Sequence, residues 1–403
     1  MIGPEEMTEV GARLASRAGA APPAVFDVRI DPVSPTDDPA LLRHVQHQAL
    51  LRANQGRYVL LPGAEGDDDR GIVERLRRHY DPAELARLEG LRTRLEAELL
   101  GPLVAEAEAR AAGHDALAYL EVLPADLRAR KDDPFLDHLE VHPHREAHYR
   151  NFLIQSSADL LAEASASALG VIGEFGEAQS ALFRILIDEF GYGTHARKHS
   201  VLYRATLAGF GLCGEYNAYW PWFDTVALEL HNAIHHLFQS PRRLFRQVGF
   251  LVFAETAYQG STARHFRYLK RFHPDVDARY FGEHAHIDLH HTAMVIEEVA
   301  VPFVRRFGPE AGAEILAGCE LTRLVFDRAG AHLLAVSRAF DAAAARGLAV
   351  HGAPDPSGPP GRCVTPSSGP DEGRVQVGGL GTLTEAGAFR AFPAGATGRL
   401  VEG

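Results

Sequence analysis

Apolar side chains recur at three- and four-residue intervals from about Pro39 onward, notably over Ala40 to Ala53 and Pro82 to Ala112, with a Gly-Asp loop at Gly63 to Asp69 between them. That recurrence predicts amphipathic helices and gives an N-terminal helical region over residues 39–130. A polar, proline-punctuated joint follows at Lys131 to Pro143, and from His144 to about Ala345 the chain is rich in alanine and leucine at helical spacing. Alternation of β-branched residues with tight turns is nearly absent before residue 346, so the body at 144–346 is expected to be all-α.

The two ends read differently. Residues 1–38 are rich in Pro, Gly, Ala and Asp without helical recurrence, and are expected to form a flexible leader. Residues 347–373 carry Pro354, Pro356, Pro359, Pro360 and Pro366 among Gly and Ser, a composition that buries too little apolar surface to offset chain entropy, so a disordered linker is expected. Short apolar stretches between glycines in residues 374–403 suggest one or two strands in a short β or irregular tail.

Composition narrows the function. With 41 Lys and Arg against 53 Asp and Glu, the formal charge of −12 disfavours phosphate backbones and anionic lipid, so no nucleic-acid partner is expected. The longest apolar runs, such as Phe250 to Ala254, fall far short of the roughly 20 residues that span a bilayer, so no membrane partner is expected either. Cys213, Cys319 and Cys363 are scattered and form no C-x-x-C pair, and Glu5, Glu6 and Glu9 replace the positive charge of an export signal. A cytoplasmic location is expected. The unusual count is 21 histidines, crowded between His138 and His291.

The strongest local pattern is Phe281-Gly-Glu-His284-Ala-His-Ile-Asp288-Leu-His-His291. At about 100° per residue, the fourth and seventh positions after His284 return to roughly +40° and −20°, which puts His284, Asp288 and His291 on one helical face. Two imidazoles and a carboxylate are ligand types that iron or manganese accepts; zinc fits less well, because its structural sites usually recruit Cys. A His-rich surface helix is the plain alternative. Upstream, Glu189 and His199 are about 80° out of register on an ideal helix, so they meet only if the helix bends, and Gly191 and Gly193 stand where a bend is needed. Alternatively the glycines end one helix and begin another, leaving Glu189 as a cap and His199 solvated. Glu255 sits in the apolar run Val248 to Ala254, where a carboxylate calls for a cation. Glu163, expected on a largely buried helix, is a fourth acid, with an edge salt bridge as its plain role.

In order, Glu163, Asp188-Glu189-x-Gly191-x-Gly193 with His199, Glu255, and Tyr280-Phe281 with His284, Asp288 and His291 resemble the haem-oxygenase-like diiron oxidases, often called iron-containing redox enzymes. The resemblance covers about residues 145–345. It implies a seven-helix haem-oxygenase-like bundle that binds no haem and assembles two irons, with Glu163, Glu189, His199, Glu255, His284, Asp288 and His291 at the family's ligand positions. Glu174 or Glu177 competes with Glu163 if a helix is misplaced. The ten-residue spacing from Glu189 to His199 is similar to that of members that oxidise amines and amino acids rather than those that cleave fatty acids. The resemblance further implies metal-centred oxidation of a small amine, amino acid or carboxylic acid in small-molecule biosynthesis. Two Fe cycling between Fe2+ and Fe3+ would serve, with O2 as co-substrate, manganese as an option at one site, and an external electron donor. Four carboxylates against two ferrous ions would leave a neutral centre.

Other residues read more plainly. His195 is an alternative to His199, and His231 and His235 are expected to be solvated or hydrogen-bonded. His138, His142, His144 and His148 are expected to be exposed in the joint. Phe190 and Tyr192 flank the expected kink, and Tyr219, Trp220, Trp222 and Phe223 are either core or the wall of a pocket. The N-terminal region is a candidate arm for a homodimer. Two further function classes stand beside the oxygenase: an iron-binding or self-modifying protein without external turnover, and a metal-free member of the same fold.

Overall fold

The structure, a computed structural model, describes residues 11–12, 30–31, 39–60, 71–130, 132–216, 218–219, 223–345, 374–377, 381–384 and 389–391. The expected linker at 347–373 and most of the leader lie outside these. The body is all-α. Its elements are α1 (Pro39–Gln55), α2 (Ile72–His79), α3 (Pro82–Leu95), α4 (Gly101–Ala111), α5 (Ala116–Ala129), α6 (Pro134–Val141), α7 (Arg145–Leu160), α8 (Ser165–Gly170), α9 (Glu177–Glu189), α10 (His199–Gly209), α11 (Thr225–Phe238), α12 (Leu244–Phe272), α13 (Arg279–Met294), α14 (Val301–Phe307) and α15 (Pro309–Ala345). Wide π-turns at Glu96–Leu100 and Val295–Ala300 join α3 to α4 and α13 to α14.

Helix starts follow the sequence chemistry. The Asp81, Asp115, Asp133 and Asp224 side chains accept backbone N–H groups at the beginnings of α3, α5, α6 and α11, and Pro82 and Pro134 open α3 and α6, where their missing N–H costs nothing. The third of these starts corrects the expectation of an irregular joint at 131–143. Asp133-Pro134 starts α6, and Phe135, Leu136 and Leu139 bury it.

The long helix α12 forms the spine, packed on α13 and α15, with α4 against α15 and α1 against α11. A Cβ on Gly249 of α12 would collide with the Ile315 carbonyl oxygen, and one on Gly318 of α15 with that of Arg246, so backbones meet at this crossing. The core is shared along the chain: Leu50, Leu91 and Leu99 belong to the same apolar cluster as Val252, Val299 and Leu324. A polar seam ties α1 to α11, with Arg43 to Glu229 at 2.9 Å, Asn54 Nδ2 donating to Asn232 Oδ1 at 3.0 Å, and Tyr58 Oη to His235 Nδ1 at 3.2 Å. Two-residue strands at Gly11–Ala12 and Ile30–Asp31 pair antiparallel. Three tail strands, Arg374–Val377, Gly381–Thr384 and Phe389–Ala391, form an antiparallel sheet, one strand more than the pattern suggested. No described helix is long and apolar enough to cross a membrane.

Candidate metal centre

On α13, His284, Asp288 and His291 are buried to 3%, 0% and 0% exposure, so the stripe that helical spacing defines faces inward rather than toward solvent. His284 Nδ1 and Asp288 Oδ1 are 3.3 Å apart, and His291 Nδ1 is 3.8 Å from the same oxygen. Asp288 thus stands between the two imidazoles of its own helix.

The expected bend at Gly191 is a complete break. α9 ends on Glu189, two single 3-10 turns occupy Gly191–Gly193 and His195–Arg197, and α10 begins on His199. Gly191, Tyr192 and Gly193 take φ of 69°, 54° and 75°, left-handed values that reverse the chain. A Cβ on Gly191 would also lie 2.5 Å from the Arg197 carbonyl carbon and the Lys198 nitrogen, so the chain can close on itself only over a glycine. The closure brings Glu189 Oε2 to 2.7 Å from His199 Nδ1, and both residues are buried. His195, the alternative to His199, is exposed.

Glu255 lies midway along α12, and its Oε2 is 3.2 Å from His291 Nδ1. Glu163 is not on a helix as expected: it lies in the turn between α7 and α8, beside Ala164 at φ 64°. Helix α7 stops at Leu160, and the turn aims Glu163 Oε1 at His284 Nε2, 3.3 Å away. All seven side chains therefore converge. Ligand atoms of six of them form two groups, Glu163, Glu189, His199 and His284 in one and Glu189, Glu255 and His291 in the other, with Glu189 in both and Asp288 in neither.

Two neighbours escaped the sequence reading of the site. Asp188 Oδ2 lies 3.0 Å from His291 Nε2, and the Tyr280 hydroxyl donates to Glu163 Oε1 at 2.8 Å. With a metal on Nδ1, His291 would keep its proton on Nε2 and donate it to Asp188, while Nδ1 faces Glu255, Glu189 and Asp288. Three carboxylates crowding one imidazole nitrogen call for positive charge among them, supplied by a second proton or by a metal ion.

The electrostatics make the same demand. Burial alone would depress the imidazoles, but Glu189 raises His199, Glu163 and Asp288 raise His284 well above its usual value, and Glu255 with Glu189 lifts His291 to about 10. Burial pushes Asp288 up to about 7 with help from Glu255 and Glu189, while His284 opposes the rise. Burial would also raise Glu189, yet His199, His284 and His291 hold it at about 2. Five buried atoms of the cluster have no hydrogen-bond partner: Glu163 Oε2, Glu189 Oε2, His199 Nδ1, His284 Nε2 and Asp288 Oδ2. Glu189 Oε2 and His199 Nδ1 are close without being aligned to share a proton. Such a donor set fits a pair of cations.

A pocket opens directly on the cluster, lined by Glu163, Glu189, Glu255 and His284 at one end and by apolar residues such as Leu182, Ile185 and Phe250 along its walls. Asp159 and Tyr258 line it too, and also a second cavity that reaches Gln155, Asp224 and His265. Burial, with Glu163 adding to it, pushes Asp159 up to about 7.

Other residues take the places the structure gives them. His231 and His235 are buried and hydrogen-bonded, to the Gln155 carbonyl at 2.8 Å and to Tyr58, rather than solvated. The expectation that His138, His142, His144 and His148 are exposed is wrong. None of them is exposed, and His148 is fully buried, because α6 and α7 fold them against α15. Tyr219 and Phe223 belong to the core and line neither cavity, while Trp220 and Trp222 lie outside the described residues.

Residues 150–325 match the sequence model of a family described as iron-containing redox enzyme. The chain is 34% identical over 261 residues to a nitrosourea synthase of Streptomyces achromogenes subsp. streptozoticus, an alignment covering 64% of this chain and 55% of that protein. The chain thus spans about half the length of this curated relative. Among solved structures, a cadd-like protein of unknown function from Nostoc punctiforme aligns with a TM-score of 0.39 and 14% identity, covering 54% of this chain and 96% of that one.

Proposed function

We propose that the protein, whose residues 150–325 match the sequence model of the iron-containing redox enzyme family, is an O2-dependent non-haem diiron oxidoreductase acting on a small nitrogen-containing molecule. The observation that carries the reading is the pair of carboxylate–histidine groups joined through Glu189. In this proposal Glu163, Glu189, His199 and His284 would hold one iron and Glu255, Asp288 and His291 the other, with Glu189 common to both groups and manganese as a substitute at one position. When bound, the two ferrous ions supply the electrons that reduce dioxygen, and an external donor restores them.

The chain's own groups then have separable tasks. Asp188 holds the Nε2 proton of His291 and so fixes which nitrogen faces inward. Tyr280 anchors one oxygen of Glu163 and leaves the other free to ligate. The apolar walls of the cavity exclude water from the oxidant. Asp159, whose carboxyl lines both cavities, is positioned to pair with a cationic amine or guanidinium, and a positive charge beside it would restore its ionised form. A nitrosourea carries an oxidised nitrogen, so the name of the Streptomyces relative favours nitrogen oxidation over carbon–carbon cleavage. The ten-residue spacing of Glu189 and His199 favours the same choice.

Anaerobic titration with Fe(II) followed by an oxygen pulse tests the centre. Uptake of about two equivalents and a rapid optical change on oxygenation are expected. Uptake of one equivalent or fewer, or spectra indifferent to oxygen, would overturn the reading.

A further inference from the structure

Away from the cluster around Glu189, three histidines from the joint between α6 and α7 surround one carboxylate near the end of α15. His138 Nε2 is 2.7 Å from Asp341 Oδ2, His148 Nε2 is 2.8 Å from Asp341 Oδ1, and His142 Nδ1 is 3.0 Å from the same oxygen. His148 is fully buried and Asp341 nearly so. Along α7, His148 is about 16 Å from Asp159 at 1.5 Å per residue, so this group is separate from the cavity and the seven-residue cluster.

We propose that His138, His148 and Asp341, with the half-buried His142 as fourth ligand, form a second, mononuclear site for a divalent cation of the zinc type, which clamps the end of α15 to the α6–α7 joint. Three imidazole nitrogens and a carboxylate oxygen are a sufficient tetrahedral set, and His138, His148 and Asp341 already present atoms within 4.8 Å of one another. At metal–ligand bonds of roughly 2.0–2.1 Å, tetrahedral ligands stand about 3.4 Å apart, so the three contacts to Asp341 need open by about 0.4–0.7 Å, and His142, which lies outside the three-residue group, would swing in as the fourth ligand.

A purely proton-linked knot accounts less well for His142. Its Nδ1 lies within 3.0 Å of Asp341 yet makes no hydrogen bond, so the two atoms approach without aligning on a shared proton. The rings also lie face to face or tilted, with His138 and His142 centroids 5.1 Å apart and His138 and His148 5.9 Å apart. With four protein ligands and no open position, the site is structural. Its occupancy determines whether α6 stays docked on α15.

The test uses the full chain with His199→Ala, His284→Ala and His291→Ala, which removes every imidazole from the Glu189 cluster, so the outcome does not depend on the iron chemistry. Metal-free protein is titrated with Zn2+ and, as a spectroscopic probe, Co2+. One equivalent of zinc should bind, the cobalt form should show the intense visible bands of tetrahedral coordination, and adding Asp341→Asn should weaken zinc at least about 100-fold. No zinc uptake, or uptake equally tight after Asp341→Asn, overturns the site. Should Asp341→Asn fail to fold, His142→Ala decides the matter, since that side chain is half-buried and its loss leaves the core intact. A changed cobalt spectrum in a folded protein supports the four-ligand site, and an unchanged one overturns it.

Discussion

Glu189 Oε2 lies 2.7 Å from His199 Nδ1, although Glu189 ends one helix and His199 begins the next. The contact depends on the closure at Gly191, where both a positive φ and a backbone approach exclude a side chain. Gly191→Ala should therefore destabilise the fold by about 2–4 kcal/mol and lower iron stoichiometry, whereas Gly193→Ala, strained in φ but facing open space, should cost only about 1 kcal/mol. Urea unfolding and iron analysis of the two variants check this; equal losses would contradict it.

Asp188 makes a different prediction, because it touches His291 from behind. Asp188→Asn should keep the fold and weaken iron binding by about 10–100-fold, through a poorly held imidazole. Competition against a calibrated chelator measures the change, with far-ultraviolet circular dichroism as the control for folding. An affinity equal to that of the unaltered protein would remove Asp188 from the account.

The helical face of His284, Asp288 and His291 was readable because a fixed angle per residue relates neighbours on one helix. Glu255 was readable because a carboxylate in an apolar run needs a reason to be there. The break after Glu189 was not, since two glycines are equally compatible with a kink and a stop, and the close approach that decides between them involves Arg197 and Lys198. Glu163 was singled out as an acid on an expected buried helix, but nothing in Leu160 to Ser165 announces that the helix has stopped. Asp188 was hidden by its neighbour, since nothing local distinguishes its role from that of Glu189. The group around Asp341 joins residues about 200 positions apart, beyond any periodicity, although the Asp133-Pro134 start of α6 was a usable sign that the joint is ordered.

Removing the metal should loosen the protein. Glu163, Glu189, Glu255 and Asp288 would then share a buried space with only protonated imidazoles to balance them. Calorimetry should show a lower and broader unfolding transition after chelation than after iron loading. Identical curves would contradict the coupling.

The seam between α1 and α11 predicts acid sensitivity. Burial depresses His44 and His231 to about 4 and His47 and His235 to about 3, against an ordinary value of 6.5. Between these values the unfolded chain binds more protons than the folded one. The stability is therefore complete above pH 6.5 and declines as pH falls toward the folded values, by up to about 1.4 kcal/mol per unit for each histidine. Comparing urea midpoints of the protein and a His235→Gln variant across this range subtracts the titration of the other groups. The variant should show the flatter dependence, and an unchanged slope would mean that His235 is already charged in the fold.

Asp159 supplies the prediction closest to substrate choice. Asp159→Asn should raise KM for a cationic substrate by about 10-fold or more while leaving iron stoichiometry unchanged, since the carboxylate lines the cavities but belongs to neither ligand group. Equal effects on a cationic substrate and its neutral analogue would count against the pairing.

The glycine crossing at Gly249 and Gly318 gives the cavity a fixed wall and a yielding one. With its backbone seated against that of α15, α12 cannot retreat, and Glu255 is held on the immobile side. Whatever widening a guest molecule requires must therefore come from the opposite jaw, where Glu189 and His199 hang from short turns, so admission of a guest and the spacing of the two carboxylate–histidine groups would be governed by the same few residues.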